Sequence, residues 1–238
     1  MKNIVKLRDM SLFKTIGLVL TLGASITACS QTTTWKEEVL LHDGQKIIAT
    51  RTVERGGKSE IGQQAPIKQQ SVAFTMPVTN EKIVWEDKFT EDIGGANFLP
   101  MQLEVHKGVA YVVAYPMGCL SYNKWGRPNP PYVLFKHDGH EWQRISLQAL
   151  PVEFKTVNVV LSIQKNQAQE LTASRVTFAQ TIADANRRSE IPEFRSILRE
   201  PLAKERINEK CMEMVYYKGS WVGPGDSIGK RMLDSKSK

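Results

Sequence analysis

The sequence predicts a mainly β protein: an irregular antiparallel sheet, sandwich-like or partly propeller-like, with a short C-terminal helical segment. Three observations carry this expectation. Short apolar runs rich in β-branched and aromatic residues fill the first two thirds of the chain. Glycine turns separate them in pairs, and helical spacing of apolar residues begins only after residue 170.

Taken in order, Val39-Leu40-Leu41 and residues 46–51 flank His42-Asp43-Gly44, a hairpin whose Asp-Gly tolerates positive φ. Residues 71–76 and 82–86 read as further strands. A looser hairpin runs from Leu103 to Val113 around Gly108. Residues 132–136 and 142–145 repeat the first design around Asp138-Gly139, residues 157–163 read as another strand, and residues 214–222 form a last hairpin around Gly219. The turn glycines at 44, 108, 139 and 219 lie 64, 31 and 80 residues apart, which excludes a regular repeat. Helix is expected within 172–199. One segment, capped by Thr172 or Ser174, carries Val176, Ala179, Ile182 and Ala183, and a second runs from Pro192 to Arg199 before Pro201.

The first 30 residues point to export. Lys2, Lys6, Arg8 and Lys14 precede an uncharged run from Ile16 to Ala28, too short for the roughly 20 residues of a membrane-spanning helix. Ile26-Thr27-Ala28-Cys29 resembles the lipobox of bacterial lipoproteins. That resemblance covers the N-terminus alone. It implies a signal peptide at 1–28, cleavage before Cys29 and acylation of its thiol, with palmitate-type chains holding the protein to a membrane. Ser30, where aspartate would signal retention, implies the outer membrane facing the periplasm. Two or three acyl chains anchor firmly where one holds marginally. Residues 30–34 read as a polar tether of about 17 Å at most. The β-rich domain is expected over 35–223 and a loosely ordered basic tail over 224–238.

The signal segment holds four basic residues and one acidic, so the formal charge of +7 falls to +4 without it. The remaining basic residues are scattered, which argues against nucleic acid. With Cys29 acylated, Cys119 and Cys211 are left, and in an oxidising compartment two such thiols are expected to pair.

The most distinctive stretch is Cys119 to Tyr132, where Tyr122, Trp125 and Tyr132 accompany Lys124 and Arg127 among three prolines and a glycine. Read as a stiff, extended loop, it makes Tyr122, Trp125, Arg127 and Tyr132 the candidate contact surface. Read the other way, Trp125 and Tyr132 turn inward and seal one end of the core. Chemical motifs fail. His137 and His140 flank a tight turn without a third metal ligand, residues 223–230 miss the phosphate-loop spacing, and Met117-Gly118-Cys119 does not match cysteine peptidases. Glu86, Asp87, Glu91 and Asp92 cluster as on an exposed face. No catalytic residue, metal or cofactor is assigned. The sequence thus points to a non-enzymatic, lipid-anchored envelope protein binding a protein or glycan, the alternative being a periplasmic hydrolase of cell-wall or polysaccharide substrates.

Overall fold

The computed structural model describes residues 31–57, 63–161, 171 and 173–236. Residues 1–30, on which the expected signal peptide and the lipidation of Cys29 fall, lie outside them. Residues 31–87 form an antiparallel meander of β1 (Gln31–Leu40), β2 (Lys46–Arg55), β3 (Ile67–Thr75) and β4 (Lys82–Asp87). The β1–β2 turn is closed by Gly44 at φ +86°, with Asp43 accepting from the Gln45 amide at 2.9 Å. A second meander follows: β5 (Phe98–His106), β6 (Val109–Pro116), β7 (Val133–His137) and β8 (Trp142–Ile145). Between β5 and β6, Lys107 at φ +51° and Gly108 at φ +74° make the two-residue turn whose twist suits a hairpin. Lys218-Gly219 repeats it between β9 (Val215–Tyr217) and β10 (Ser220–Val222).

The two meanders face each other. Val39, Ala49, Val72, Phe74 and Trp85 of the first pack with Phe98, Leu103, Val112 and Phe135 of the second in one buried cluster. At one edge Trp142 Nε1 donates to Val84 O at 2.8 Å, tying β8 to β4. The first sheet alternates inward and outward along every strand, whereas β5 and β6 are buried almost continuously. The outer face of the second sheet explains this, because Met101, Tyr111, Val113 and Leu134 are covered by Leu150, Phe154, Val157 and Ile197. The sheets do not close into a barrel. The fold is therefore mainly β and sandwich-like, with the second sheet as its middle layer.

Several sequence expectations need correction. Residues 157–161 are not a strand, since side chains satisfy their backbone in place of a ladder. Asn186 Nδ2 donates to Val157 O and Val159 O, Glu37 Oε2 accepts from Val160 N, and the Asn158 side chain bridges Leu103 and Leu40. Residues 162 and 163 lie outside the described set. The supposed tether is already sheet, as Gln31 to Thr34 pair with Arg55 to Thr52. Helix α1 (Gly118–Lys124) occupies a stretch read as extended. Helix α2 (Ala179–Arg187) is shorter than expected and starts after Phe178, while α3 (Pro192–Arg195) ends before Arg199. Among the described residues, α4 (Lys204–Lys210), α5 (Ser227–Lys236) and a 3-10 turn at Leu147–Ala149 also escaped the reading, α5 replacing most of the basic tail. Among the described residues no helix is long and apolar enough to cross a membrane.

Candidate functional site

Cys119 and Cys211 are joined by a disulfide that ties α1 to the segment entering β9. Beside it, the four candidate contact residues turn inward to different degrees. Tyr122 and Tyr132 are 6% and 4% exposed and cannot present their rings to a partner. The Tyr132 hydroxyl donates toward the carbonyls of Glu193 and Ser196, both at 3.1 Å, and accepts from Leu198 N at 3.2 Å. Burial pushes its pKa up. Trp125 is half-buried with its ring 4.7 Å from Phe98 and its Nε1 on Asn97 Oδ1 at 3.2 Å, while Arg144 stacks on the outer face. Arg127 lies over Tyr122 and donates to Met212 O at 3.1 Å and Cys211 O at 3.0 Å. The loop is therefore a seam between α1, β7 and the C-terminal segment. Its aromatics stabilise the fold, as the inward reading of the sequence holds.

The His137–His140 turn is a solvated hairpin tip, with Asp138 Oδ1 accepting from the amides of His140 and Glu141 at 2.8 Å. Among the described residues no group of three histidines, cysteines or carboxylates could hold a metal.

Two features missed in the sequence are better candidates. The first is a cleft at the end of the sandwich where β1 begins. Inward positions of β2 run Ile47, Ala49, Arg51, Val53 and Arg55, so the apolar core gives way to guanidinium groups at that end. A cavity of about 530 Å³ opens there, lined by Arg51, Val53, Arg55, Ile67, Leu99, Met117 and Phe194 among others. A second, of about 650 Å³, lies across Val160, Leu161 and Phe194, against Val176, Phe178 and Ile182. Both fall within the size range of small-molecule sites. The rim is fixed by Gly95, whose backbone passes so near β3 that an added Cβ would stand 2.8 Å from Ile67 O. Trp35 and Glu37 contact Arg51 without lining the cavity. Trp35 Nε1 donates to Glu37 Oε1 at 2.6 Å, and Arg51 Nη1 stands 3.4 Å from the same oxygen. Desolvation raises the pKa of Glu37 and lowers that of Arg51, each opposed by the other's charge.

The second feature is a chain of three side chains at the opposite end of β1. His42 Nδ1 lies 2.9 Å from Glu104 Oε2, and His42 Nε2 lies 3.0 Å from His106 Nδ1. The Glu104 carboxyl also accepts from the His42 amide, Gln102 and Asn158. Phe154 packs against both imidazoles, at 5.1 and 6.0 Å. The arrangement can orient His106 and pass a proton toward Glu104. Residues 62 to 64 positions apart meet here because two hairpin ends converge.

No family model, no curated protein and no solved structure matches the chain.

Proposed function

We propose that this chain is a non-enzymatic, lipid-anchored envelope protein, held at the periplasmic face of the outer membrane through Cys29, that binds an envelope component in the Arg51 cleft. One observation carries the reading. The cleft lies at the end of the sandwich where β1 begins, since Arg55 in its wall pairs with Gln31, and Cys29 precedes Gln31 by two residues in the sequence, about 7 Å of extended chain at most. Acyl chains on Cys29 would set the cleft against the bilayer surface, where an apolar cavity with cationic groups meets envelope material first. The Cys119–Tyr132 seam is a poorer surface for a protein or glycan, because two of its rings are buried.

In-cell crosslinking tests this. A photo-crosslinker at Ile93, on the cleft rim, is expected to give a discrete adduct in membrane fractions, and Cys29→Ser is expected to release the chain from membranes and abolish the adduct. Membrane retention by Cys29→Ser, or no adduct from any rim position, would overturn the reading.

The Glu104–His42–His106 chain favours a second reading, hydrolysis of a wall or polysaccharide substrate with His106 as general base. It requires a hydrolytic activity on wall fragments that His106→Gln removes without loss of fold. Absence of hydrolysis across such a screen dismisses it.

A further inference from the structure

Arg51 is a buried cation that its neighbours serve incompletely. It is 2% exposed, and its Nη1 reaches Glu37 Oε1 and Val160 O at 3.4 Å each, the long limit of a hydrogen bond. Its Nε is buried with no hydrogen-bond partner among the described residues. Glu37 is better supplied, taking Trp35 Nε1 at 2.6 Å and Val160 N at 3.1 Å. The carboxylate is thus fixed by other donors and offers the guanidinium only a distant oxygen. A guanidinium carries five donors, and leaving them unfilled in a buried site is unfavourable.

The cleft beside it is shaped for hydrocarbon. Val53, Ile67, Leu99, Met117, Val160 and Phe194 contribute its walls, and among the described residues no aspartate or glutamate lines it. Arg55 adds a second guanidinium at the β1 end, where its Nη1 donates to Ala65 O at 3.0 Å. A glycan would find few polar partners on these walls, and a folded protein would not enter about 530 Å³. An acyl chain satisfies the walls, and a carboxylate satisfies Arg51 bidentately.

Resting on the binding-protein reading above, we propose that the cleft binds a long-chain fatty acid, its carboxylate at Arg51 and its hydrocarbon along Val53, Leu99, Met117 and Phe194. The ligand is drawn from the bilayer against which Cys29 sets this end of the sandwich.

The test uses the full chain carrying Cys29→Ser, purified without detergent, and the acylated chain in phosphatidylcholine nanodiscs. The fluorescent fatty acid cis-parinarate is expected to bind both saturably. Palmitate displaces it, and hexadecanol, which lacks the carboxylate, competes about tenfold less well, as loss of one charge-assisted hydrogen bond implies. Ile93→Trp fills the cleft from its rim, away from the ion pair, and is expected to abolish probe binding with an unchanged far-UV spectrum. Arg51→Gln combined with Glu37→Gln removes both charges and is expected to make palmitate and hexadecanol equal competitors. Equal competition on the chain with its charges intact overturns the proposal, as does undiminished binding by Ile93→Trp. Binding to the Cys29→Ser chain alone also overturns it, assigning the cleft to the protein's own acyl group. A crosslinked partner recovered from a chain that ignores fatty acid would leave the binding-protein reading standing and remove only this ligand.

Discussion

His42 Nδ1 stands 2.9 Å from Glu104 Oε2, a contact between two hairpin ends 62 residues apart. Burial is the largest influence on Glu104 and raises its pKa above the ordinary carboxylate value, against the opposing hydrogen bonds and charge of His42. The folded chain therefore holds this proton more tightly than the unfolded chain. Its stabilising contribution is full below the unfolded value of about 4.3 and is lost as pH rises through the folded value. Glu104→Gln cannot titrate. The stability of the native chain relative to this variant, from urea midpoints, is expected to decline as pH rises from about 4 toward neutrality. A relative stability that grows over that range would contradict the direction of the shift.

Reduction of Cys119–Cys211 should act on one end of the molecule. The bond closes a loop of 92 residues, and opening such a loop is expected to cost about 2–4 kcal/mol. Among the described residues the inter-sheet core contains none beyond Val159, so the sandwich should survive while residues 211–222 detach. Amide exchange with and without reductant is the measurement. Uniform loss of protection across both sheets would show the disulfide to be needed for the whole fold.

Trp125→Ala separates core from contact surface. The ring touches Phe98 and packs against the inter-sheet core, and its Nε1 is bonded to Asn97. Because it is only half-buried, the expected loss is about 2–3 kcal/mol, below the 3–5 kcal/mol of a fully buried aromatic. Thermal denaturation reads this directly. A variant of native stability that loses a binding partner would return Trp125 to the role of a contact residue.

Gly95→Ala tests the cleft rim. The new methyl would meet Ile67 O at 2.8 Å, and the same oxygen accepts from Ala96 N at 2.9 Å. Backbone cannot yield as a side-chain tip does, so a cost of about 1–3 kcal/mol is expected, together with a displaced rim. Unchanged stability would mean that β3 and the β4–β5 crossover can separate freely.

The hairpins were legible because each rests on a local signal: a glycine at a fixed offset and period-two apolar residues on either side. The disulfide was legible from the count of cysteines, two being left once Cys29 was set aside. Other elements left no such trace. Helix α5 leaves Ile228 and Met232 exposed and is fixed by polar contacts, Asp234 meeting Lys218 at 2.6 Å and Tyr217 at 2.9 Å, so no apolar stripe announces it. A cap was present in the sequence, as Asp226 accepts from Gly229 N at 2.7 Å. The 157–161 segment carries strand-like residues, but long-range side chains claim its backbone. The relay and the cleft are the least readable, because His42, Glu104 and His106, like Arg51 and Phe194, meet only after two separate meanders have packed. Arg51 and Arg55 do share a β2 face, and a pair of arginines among inward positions was the one local hint.

Each sheet is continuous in sequence, the first complete by Asp87 and the second by Ile145, with every strand paired to its chain neighbour. Such a layout permits assembly in the order of synthesis, since a chain growing from its N-terminus can finish one meander before the next is made. Cys211, the disulfide partner of Cys119, belongs to the segment added after both meanders. The helix carrying Cys119 also waits on that later segment, since Asn123 at its end bonds Met212 and Met214, so disulfide and helix are completed together by the last part of the chain.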